Sequence, residues 1–386
     1  MEAFRHVGRT VSFKNRLRSR ILRVYISPWL RQRQRQWHEA MRRLTRQPHV
    51  VHAFLQLDDP YSYLLSRYLP ALVEHYDVEL RVHLVEGLRE DFQPMPDMLA
   101  EYAVTDCARL ARELGLPFLD KASVPPVEHR RGLLDALAAN VGQADFGTEV
   151  FAALEIYWRG DTAAAARRSD MAEAGAAAAM IAASQRLLAK LGHYNSAMLN
   201  YGGEWYWGID RLHYLTGRLE GLGAVRSAGR STHIASIRQV MHIDFPVTPP
   251  AAARELPPIE LFYSFRSPYS QICLHRICKL ADAYGIDLVL RPVLPLMMRN
   301  VTLPPPKIRY IIRDAMREAE TYGVPFGNSM DPMGSGVNRC HAVFAYADTE
   351  KRGREFLLNA SEMIWNGRID AATDSGLRKI TARTGL

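Results

Sequence analysis

Two serines stand three residues apart in the stretch SFRSPYSQICLH at 264–275, where an apolar run leads into helical spacing. Serine followed by proline is typical of a helix start, because the side chain caps the backbone and proline suits the first turn. A helix N-terminus that follows a strand also carries positive potential, which stabilises an anion such as a thiolate. The step therefore predicts either a plain helix cap or a site where the hydroxyl of Ser267 donates to a bound thiolate.

The same step occurs upstream in LQLDDPYSYLLS at 55–66, with Asp59 in place of the first serine. A shift of 208 positions aligns the two stretches, and it also aligns DCARLARELGLPF at 106–118 with DAMREAETYGVPF at 314–326. A shift of 207 then aligns EIYWRG at 155–160 with EMIWNG at 362–367. So constant an offset predicts an internal duplication.

Each copy is predicted to form a β-α-β unit with a parallel strand pair, which places the chain in the α/β class. The predicted helices run from Tyr61 to Tyr76 and from Tyr269 to Tyr284. A helical insertion follows, and the first copy ends in a hairpin with Gly202-Gly203 as its turn and a helix from Asp210. Only 21 residues follow Trp365, against 61 between the matching Trp158 and Leu219, so the second copy is expected to be incomplete in this chain.

The domain organisation predicted from these patterns has four parts. They are a basic arm at 1–48, a first domain at 49–220, a linker at 221–257 and a truncated second domain at 258–386.

The composition, with 48% hydrophobic and 23% charged residues, is typical of a globular protein. Neither a secretory signal nor a run of about 18 apolar residues is present, so a cytoplasmic location is expected. The four cysteines form neither a Cys-x-x-Cys pair nor a zinc spacing, which favours isolated buried thiols in a reducing compartment and argues against a metal site. They are Cys107, Cys273, Cys278 and Cys340.

The positive charge of the chain lies in the arm, where residues 1–50 contain 13 Lys or Arg and 2 Asp or Glu. Trp37, Met41 and Leu44 recur there at helical spacing, which favours a helix packed on the first domain with its arginines in solvent. The alternative is contact with an anionic surface, either a membrane face or nucleic acid. No motif indicates a specific nucleic-acid site.

The second copy resembles one thioredoxin-fold family over about 128 residues, in IELFYSFRSPYSQICLHRI, PPPKIRYIIRDAMREAETYGVPF and EMIWNGRIDAATDSGLRKI. The family joins DsbA-type disulfide oxidoreductases with kappa-class glutathione transferases and 2-hydroxychromene-2-carboxylate isomerases. The first copy resembles it over about 170 residues, through GGEWYWGIDRL. The resemblance implies two tandem thioredoxin-like domains with helical insertions. Both cysteine positions of the oxidoreductases are hydroxyl or carboxyl residues here, so disulfide exchange is not expected.

For the isomerase and kappa branch, the resemblance implies glutathione as the cofactor and Ser267 as the catalytic residue that holds its thiolate. The thiolate would add to a conjugated small-molecule electrophile. Further implied glutathione contacts are Tyr269, Asn300 and Lys307. The plain alternatives are a turn residue for Asn300 and a solvated cation for Lys307.

In the first copy the resemblance matches Asp210 and Arg211 to residues that hold the γ-glutamyl end of glutathione. A capped helix start is the alternative for this pair. Asp59 would repel a thiolate, and Ala197 stands where the family has a cis-proline, so a trans bond is expected there.

The first copy carries the ligand-anchoring end without the serine, and the second carries the serine without that end. The competing hypothesis is a catalytically degenerate pair that acts as a binding or assembly module. A homodimer is left open. His52 and His83 are expected to be hydrogen-bonded residues of the sheet.

Overall fold

The computed structural model describes residues 13–87, 92–118, 127–170, 172–226, 245–246, 248–250 and 256–386. The chain divides into two compact units. The central unit comprises residues 35–243, and the C-terminal unit comprises residues 1–34 together with 244–386. The predicted linker at 221–257 falls largely outside the described residues, and the predicted domain boundaries stay a prediction.

The arm consists of two helices, α1 (Phe13–Ile26) and α2 (Pro28–Leu44), and the division between the units falls within α2. The central unit continues with β1 (Val50–Leu55), α3 (Pro60–Ser66), α4 (Leu69–His75), β2 (Glu79–Leu84), α5 (Pro96–Glu113), α6 (Val127–Ala138), α7 (Phe146–Trp158), α8 (Thr162–Ser169), α9 (Ala177–Lys190), β3 (Met198–Tyr201), β4 (Glu204–Trp207) and α10 (Leu212–Gly221). The C-terminal unit continues with β5 (Ile259–Tyr263), α11 (Pro268–Tyr284), β6 (Leu288–Pro292), α12 (Pro305–Tyr322), α13 (Ser335–Thr349), α14 (Gly353–Trp365) and α15 (Asp374–Thr384). The fold is mixed α/β.

The sheet of the central unit has the strand order β2-β1-β3-β4. Strands β1 and β2 run parallel, as predicted, with Val50 opposite Glu79. Strands β3 and β4 form the predicted antiparallel hairpin. Its turn residues Gly202 and Gly203 both have positive φ, which glycine adopts at no steric cost.

The core of the central unit lies against the face of the sheet that carries Val51, Ala53 and Leu55, all of which are fully buried. The indole of Trp158 on α7 is buried there, and its Nε1 donates to the carbonyl of Leu57 over 2.9 Å. This hydrogen bond satisfies the one polar atom of the indole and joins the helical insertion to the segment that follows β1.

Strands β5 and β6 of the C-terminal unit are also parallel, with Ile259 opposite Leu288. The core of this unit includes Phe265, Phe356 and Ile364, all fully buried. The buried hydroxyl of Tyr263, the last residue of β5, donates to Ser361 on α14 over 2.7 Å. The strand that leads to Ser267 is therefore fixed to the helical layer.

The two helices that follow the first strands differ. The predicted helix at 269–284 is confirmed as α11, whereas the predicted helix from Tyr61 to Tyr76 is divided into α3 and α4. Pro70 lies in the first turn of α4. Proline has no N–H for an intrahelical hydrogen bond and its ring clashes with the preceding turn, which explains the break.

The arm contradicts one expectation, since Trp37, Met41 and Leu44 are exposed to 70%, 37% and 77%. Arg35 and Arg42 of α2 are half-buried instead, whereas Arg33 and Arg43 are exposed. Arg35 forms a bidentate ion pair with Glu204 at 2.6 and 2.7 Å. The predicted apolar packing of α2 on the first domain is wrong, because ion pairs rather than apolar contacts hold this part of the helix.

All four cysteines are unpaired thiols, and three of them are buried. Cys273 is exposed, so the expectation that all four are buried is wrong at this position. Helix α11 turns this residue outward while Ile272 and Leu274 on either side are buried. In the described ranges of the chain, none of the helices has the length and hydropathy that crossing a membrane requires.

Candidate functional site

Ser267 is the N-cap of α11, in the turn that follows β5. Its φ of −91° and ψ of 119° are those of a residue just outside a helix, and Pro268 occupies the first helical position. The backbone N–H of Ser270 donates to the Ser267 Oγ over 3.2 Å. The predicted helix start is confirmed.

The capping hydrogen bond leaves the hydroxyl proton of Ser267 uncommitted. Ser267 is half-buried, and within the described ranges its hydroxyl donates to no acceptor. The second serine is used differently, because its Oγ accepts from the N–H of Ser264 over 3.3 Å and joins the strand end to the helix. Both hydroxyls are half-buried and each accepts one backbone hydrogen bond, but Ser267 alone holds the N-cap position of this long helix.

An ion pair lies directly beside this serine. The guanidinium of Arg266 binds both carboxylate oxygens of Asp331, at 2.9 and 3.1 Å. Its Nη1 also lies 3.1 Å from the sulfur of Met297, in the 3₁₀ turn Leu296–Met298 that follows β6. Sequence reasoning missed this pair, since its partners are 65 residues apart and no local pattern links them.

The hydroxyl of Tyr269 donates to Asp314 Oδ2 on α12 over 2.8 Å. Asp314 is fully buried, and its other oxygen accepts from Arg317 over 2.8 Å. Tyr61 in the central unit donates to Asp106 over the same 2.8 Å. These hydrogen bonds direct both phenols into the helical layer. The sequence feature that could have predicted them is the alignment of Asp106 with Asp314 at the shift of 208 residues.

The predicted ligand residues Asn300 and Lys307 both lie between the 3₁₀ turn Leu296–Met298 and the first turn of α12. Asn300 is exposed and has a φ of 61°, which is the left-handed conformation of a turn residue. Lys307 is half-buried, and this burial lowers the pKa of its ammonium group. The geometry thus supports the turn alternative for Asn300, while the burial of Lys307 does not fit a fully solvated cation.

In the central unit the residue that matches Ser267 is Asp59, and both oxygens of its carboxylate accept hydrogen bonds. Asp59 Oδ1 accepts from the N–H of Tyr61 over 3.1 Å, and Oδ2 accepts from Ser62 at 2.7 Å and from Ser196 at 2.8 Å. Burial raises the pKa of Asp59, and these three hydrogen bonds oppose the rise. Asp59 caps α3 as predicted, and its acceptor oxygens are all engaged.

Ala197 follows Ser196 and immediately precedes β3. It is fully buried and has a φ of 52°, a left-handed conformation that costs a non-glycine residue about 1–2 kcal/mol. As expected, its peptide bond is not cis. The backbone is held in this conformation partly by the N–H of Gly208, which donates to the Ala197 carbonyl over 2.7 Å.

Asp210 and Arg211 lie in the 3₁₀ turn Ile209–Arg211 of the central unit, with Arg211 Nη1 4.0 Å from Asp210 Oδ2. Burial raises the pKa of the Cys107 thiol, and the charges of Asp59, Asp106 and Asp210 raise it further. Asp59, Asp106 and Asp210 are thus all close enough to the Cys107 thiol to oppose its ionisation. The structure brings Asp210 and Arg211 together, and their role as glutathione contacts stays a prediction.

The C-terminal segment of the chain matches a model of a known protein family. A family model described as DSBA-like thioredoxin domain matches residues 258–386. This match supports a thioredoxin-like DsbA domain in that part of the chain. No curated protein sequence gives a significant match.

Among solved structures, the chain is similar to a 2-hydroxychromene-2-carboxylate isomerase, with 16% sequence identity and a TM-score of 0.35 over 45% of this chain and 96% of that one. It is also similar to the cytosolic disulfide reductase DsbM from Pseudomonas aeruginosa, with 16% identity and a TM-score of 0.32 over 45% and 97% of the two chains. A structure of DsbM with GSH gives 16% identity and a TM-score of 0.31 over the same shares. Likenesses this distant carry no argument about function.

Proposed function

We propose that the C-terminal unit is a glutathione-dependent isomerase or transferase in which Ser267 donates a hydrogen bond to the glutathione thiolate. The observation that carries the proposal is the uncommitted hydroxyl proton of Ser267 at the N-terminus of α11, a helix of 17 residues. The helix end supplies positive potential and the hydroxyl supplies a directed donor, and both favour the ionised form of a thiol.

The proposed chemistry is addition to a conjugated electrophile. The thiolate forms a carbon–sulfur bond at the β-carbon, and the displaced electron pair moves onto the conjugated carbonyl. In an isomerase the former double bond becomes single and rotates before the thiolate leaves and restores conjugation. In a transferase a proton adds to the neighbouring carbon and the thioether is the product. Neither route includes an oxidation or reduction step, so neither needs a Cys-x-x-Cys pair.

Further glutathione contacts are proposed from the loop that precedes α12. Lys307 would pair with a glutathione carboxylate, and Asn300 would offer its side-chain amide. For Tyr269 we propose a positioning role, because its hydroxyl is bonded to Asp314. For Asp210 and Arg211 we retain the predicted contact to the γ-glutamyl end as a separate proposal about the central unit.

We also propose that the two units are tandem thioredoxin-like domains. Each contains a parallel β-α-β unit with a proline at the helix start. In each, the tyrosine after that proline bonds an aspartate 45 residues later. Four unpaired cysteines are what a reducing cytoplasm would maintain, so we retain a cytoplasmic location within the proposal.

A binding or assembly module is the second candidate, and Asp59 favours it for the central unit. Its carboxylate already accepts three hydrogen bonds, which leaves no role at that position for a thiolate. A chain with one degenerate unit could have lost catalysis in both. Under this alternative, Ser267 is a helix cap and nothing more.

Calorimetric titration of glutathione into the full chain separates the two candidates. The wild type is expected to bind, and Ser267→Ala is expected to bind more weakly. Thr373→Ala is the matched control, because Thr373 caps α15 of the same unit by the same type of hydrogen bond, to the N–H of Gly376 over 3.0 Å. Equal losses in both variants would show a general effect of cap removal, and absence of wild-type binding would favour the module.

A further inference from the structure

The arm exposes two apolar stripes, and the first lies on α1. Leu17, Ile21 and Val24 recur at i, i+4 and i+7, and they are 47%, 60% and 55% exposed. The opposite side of α1 is packed on the C-terminal unit, where Ser19 and Ile26 are buried. The helix is thus anchored by one side while it presents an apolar side to the surroundings.

The second stripe lies on α2 and consists of Trp37, Met41 and Leu44, again at i, i+4 and i+7. Trp37 and Leu44 are among the most exposed apolar side chains of the described chain, at 70% and 77%. The inward side of the helix at this point is polar, since Glu39 binds Arg42 at 2.8 and 2.9 Å. A helix that turns its charged side inward and its apolar side outward is the reverse of a normal surface helix.

Cations flank both stripes. Arg20 on α1 and Arg33 on α2 are exposed. Arg43 on α2 is also exposed and is paired with Glu39. The guanidinium of Arg33 lies 5.6 Å from the ring centre of Trp29, which is itself 64% exposed. Long arginine side chains extend to lipid headgroups while their stems cover apolar surface, and tryptophan favours the same interfacial depth.

We propose that each apolar stripe of the arm binds an anionic lipid surface by inserting its side chains among the headgroups, Leu17, Ile21 and Val24 on α1 and, separately, Trp37, Met41 and Leu44 on α2. Charge complementarity selects this occupant, because residues 1–50 carry 13 basic and 2 acidic side chains. Helices that lie in the membrane interface combine these two features, an apolar side and basic flanks.

The same observations disfavour two other occupants. Nucleic acid would gain little from six exposed apolar side chains, and Arg35 and Arg42 are already paired with carboxylates. A second copy of the arm would bring the same excess of positive charge against itself. A lipid surface accommodates each apolar stripe together with the cations that flank it.

Flotation of the full chain with vesicles tests the proposal. Retention is expected on vesicles of phosphatidylcholine mixed with phosphatidylglycerol, and much less on phosphatidylcholine alone. Ile21→Gln and Trp37→Gln are each expected to weaken partitioning about tenfold, because each removes one inserted apolar side chain. Arg20→Gln and Arg33→Gln are each expected to weaken it about fivefold and to reduce its salt dependence.

Tyr346→Gln is the matched control, since Tyr346 is 58% exposed on α13 outside the arm. It should leave partitioning unchanged. All substituted side chains are exposed, so thermal unfolding should match the wild type within about 0.5 kcal/mol. The proposal is overturned by absence of retention on the anionic vesicles, by equal retention on the neutral ones, or by an effect of Tyr346→Gln as large as that of Ile21→Gln. Salt-sensitive binding of duplex DNA without vesicle binding, or a dimer abolished by Ile21→Gln, would assign the stripes to a different occupant.

Discussion

Acid is expected to destabilise the central unit through the paired imidazoles of His52 and His83. The Nδ1 of His52 lies 2.9 Å from the Nε2 of His83, which confirms that both are hydrogen-bonded in the sheet. His83 also stacks on the fully buried ring of Phe54, with ring centres 4.8 Å apart. Burial, followed by the positive charges of His52 and Arg81, lowers the pKa of His83 from 6.5 to about 4.

The sign of the pH dependence follows from this lowering. Between pH 6.5 and about 4 the unfolded chain takes up a proton at His83 and the folded chain does not, so stability is lost as the pH falls through this window. Each pH unit of difference between the two pKa values corresponds to roughly 1.4 kcal/mol, so the full loss from His83 is about 3 kcal/mol. Above pH 6.5 the group contributes no pH dependence.

Two measurements test this expectation. Histidine NMR titration of the folded chain should give His83 a pKa near 4, and urea unfolding at several pH values should show about 3 kcal/mol less acid destabilisation in His83→Gln than in the wild type. The double variant His52→Gln/His83→Gln serves as the control for coupling within the pair. An NMR pKa above 6, or parallel pH profiles for wild type and variant, would refute the reasoning.

Two further substitutions test the packing around the sites. Asp314→Ala leaves Tyr269 and the buried Arg317 without their carboxylate, so the free energy of unfolding of the C-terminal unit should fall by about 3–5 kcal/mol in urea titrations. A loss below about 1 kcal/mol would show that this carboxylate is not structurally required. Ala197→Gly relieves a left-handed alanine and should raise the free energy of unfolding of the central unit by about 1 kcal/mol, and a lower thermal midpoint would contradict the strain.

Local signals predicted the elements that carry the candidate sites. The apolar runs, the proline at each helix start and the Gly202-Gly203 turn act within a few residues, and both parallel strand pairs and the hairpin were predicted from them. The break between α3 and α4 was missed because the helical spacing of apolar residues continues across Pro70. Proline acts on the backbone and leaves that spacing unchanged.

Contacts between residues that are far apart along the chain could not be predicted from local sequence patterns. Nothing near Arg266 indicates Asp331, and nothing near Asp59 indicates that Ser196 donates to it across 137 residues. The side of α2 that faces the protein was predicted wrongly for a related reason. Apolar spacing on α2 shows that one side is apolar, whereas the ion pair of Arg35 with Glu204 decides which side faces the protein.

The ionisation of bound glutathione tests the central claim most directly. Ultraviolet absorbance of the thiolate, followed against pH with saturating glutathione, reports the pKa of the bound thiol. In the wild type it should lie well below the ordinary thiol pKa of about 8.5. Ser267→Asp keeps a helix cap, as Asp59 does for α3, but places a carboxylate against the sulfur, so the pKa should return to that value or above. An unshifted pKa in the wild type, or the same lowered pKa in Ser267→Asp, would contradict a thiolate site at Ser267.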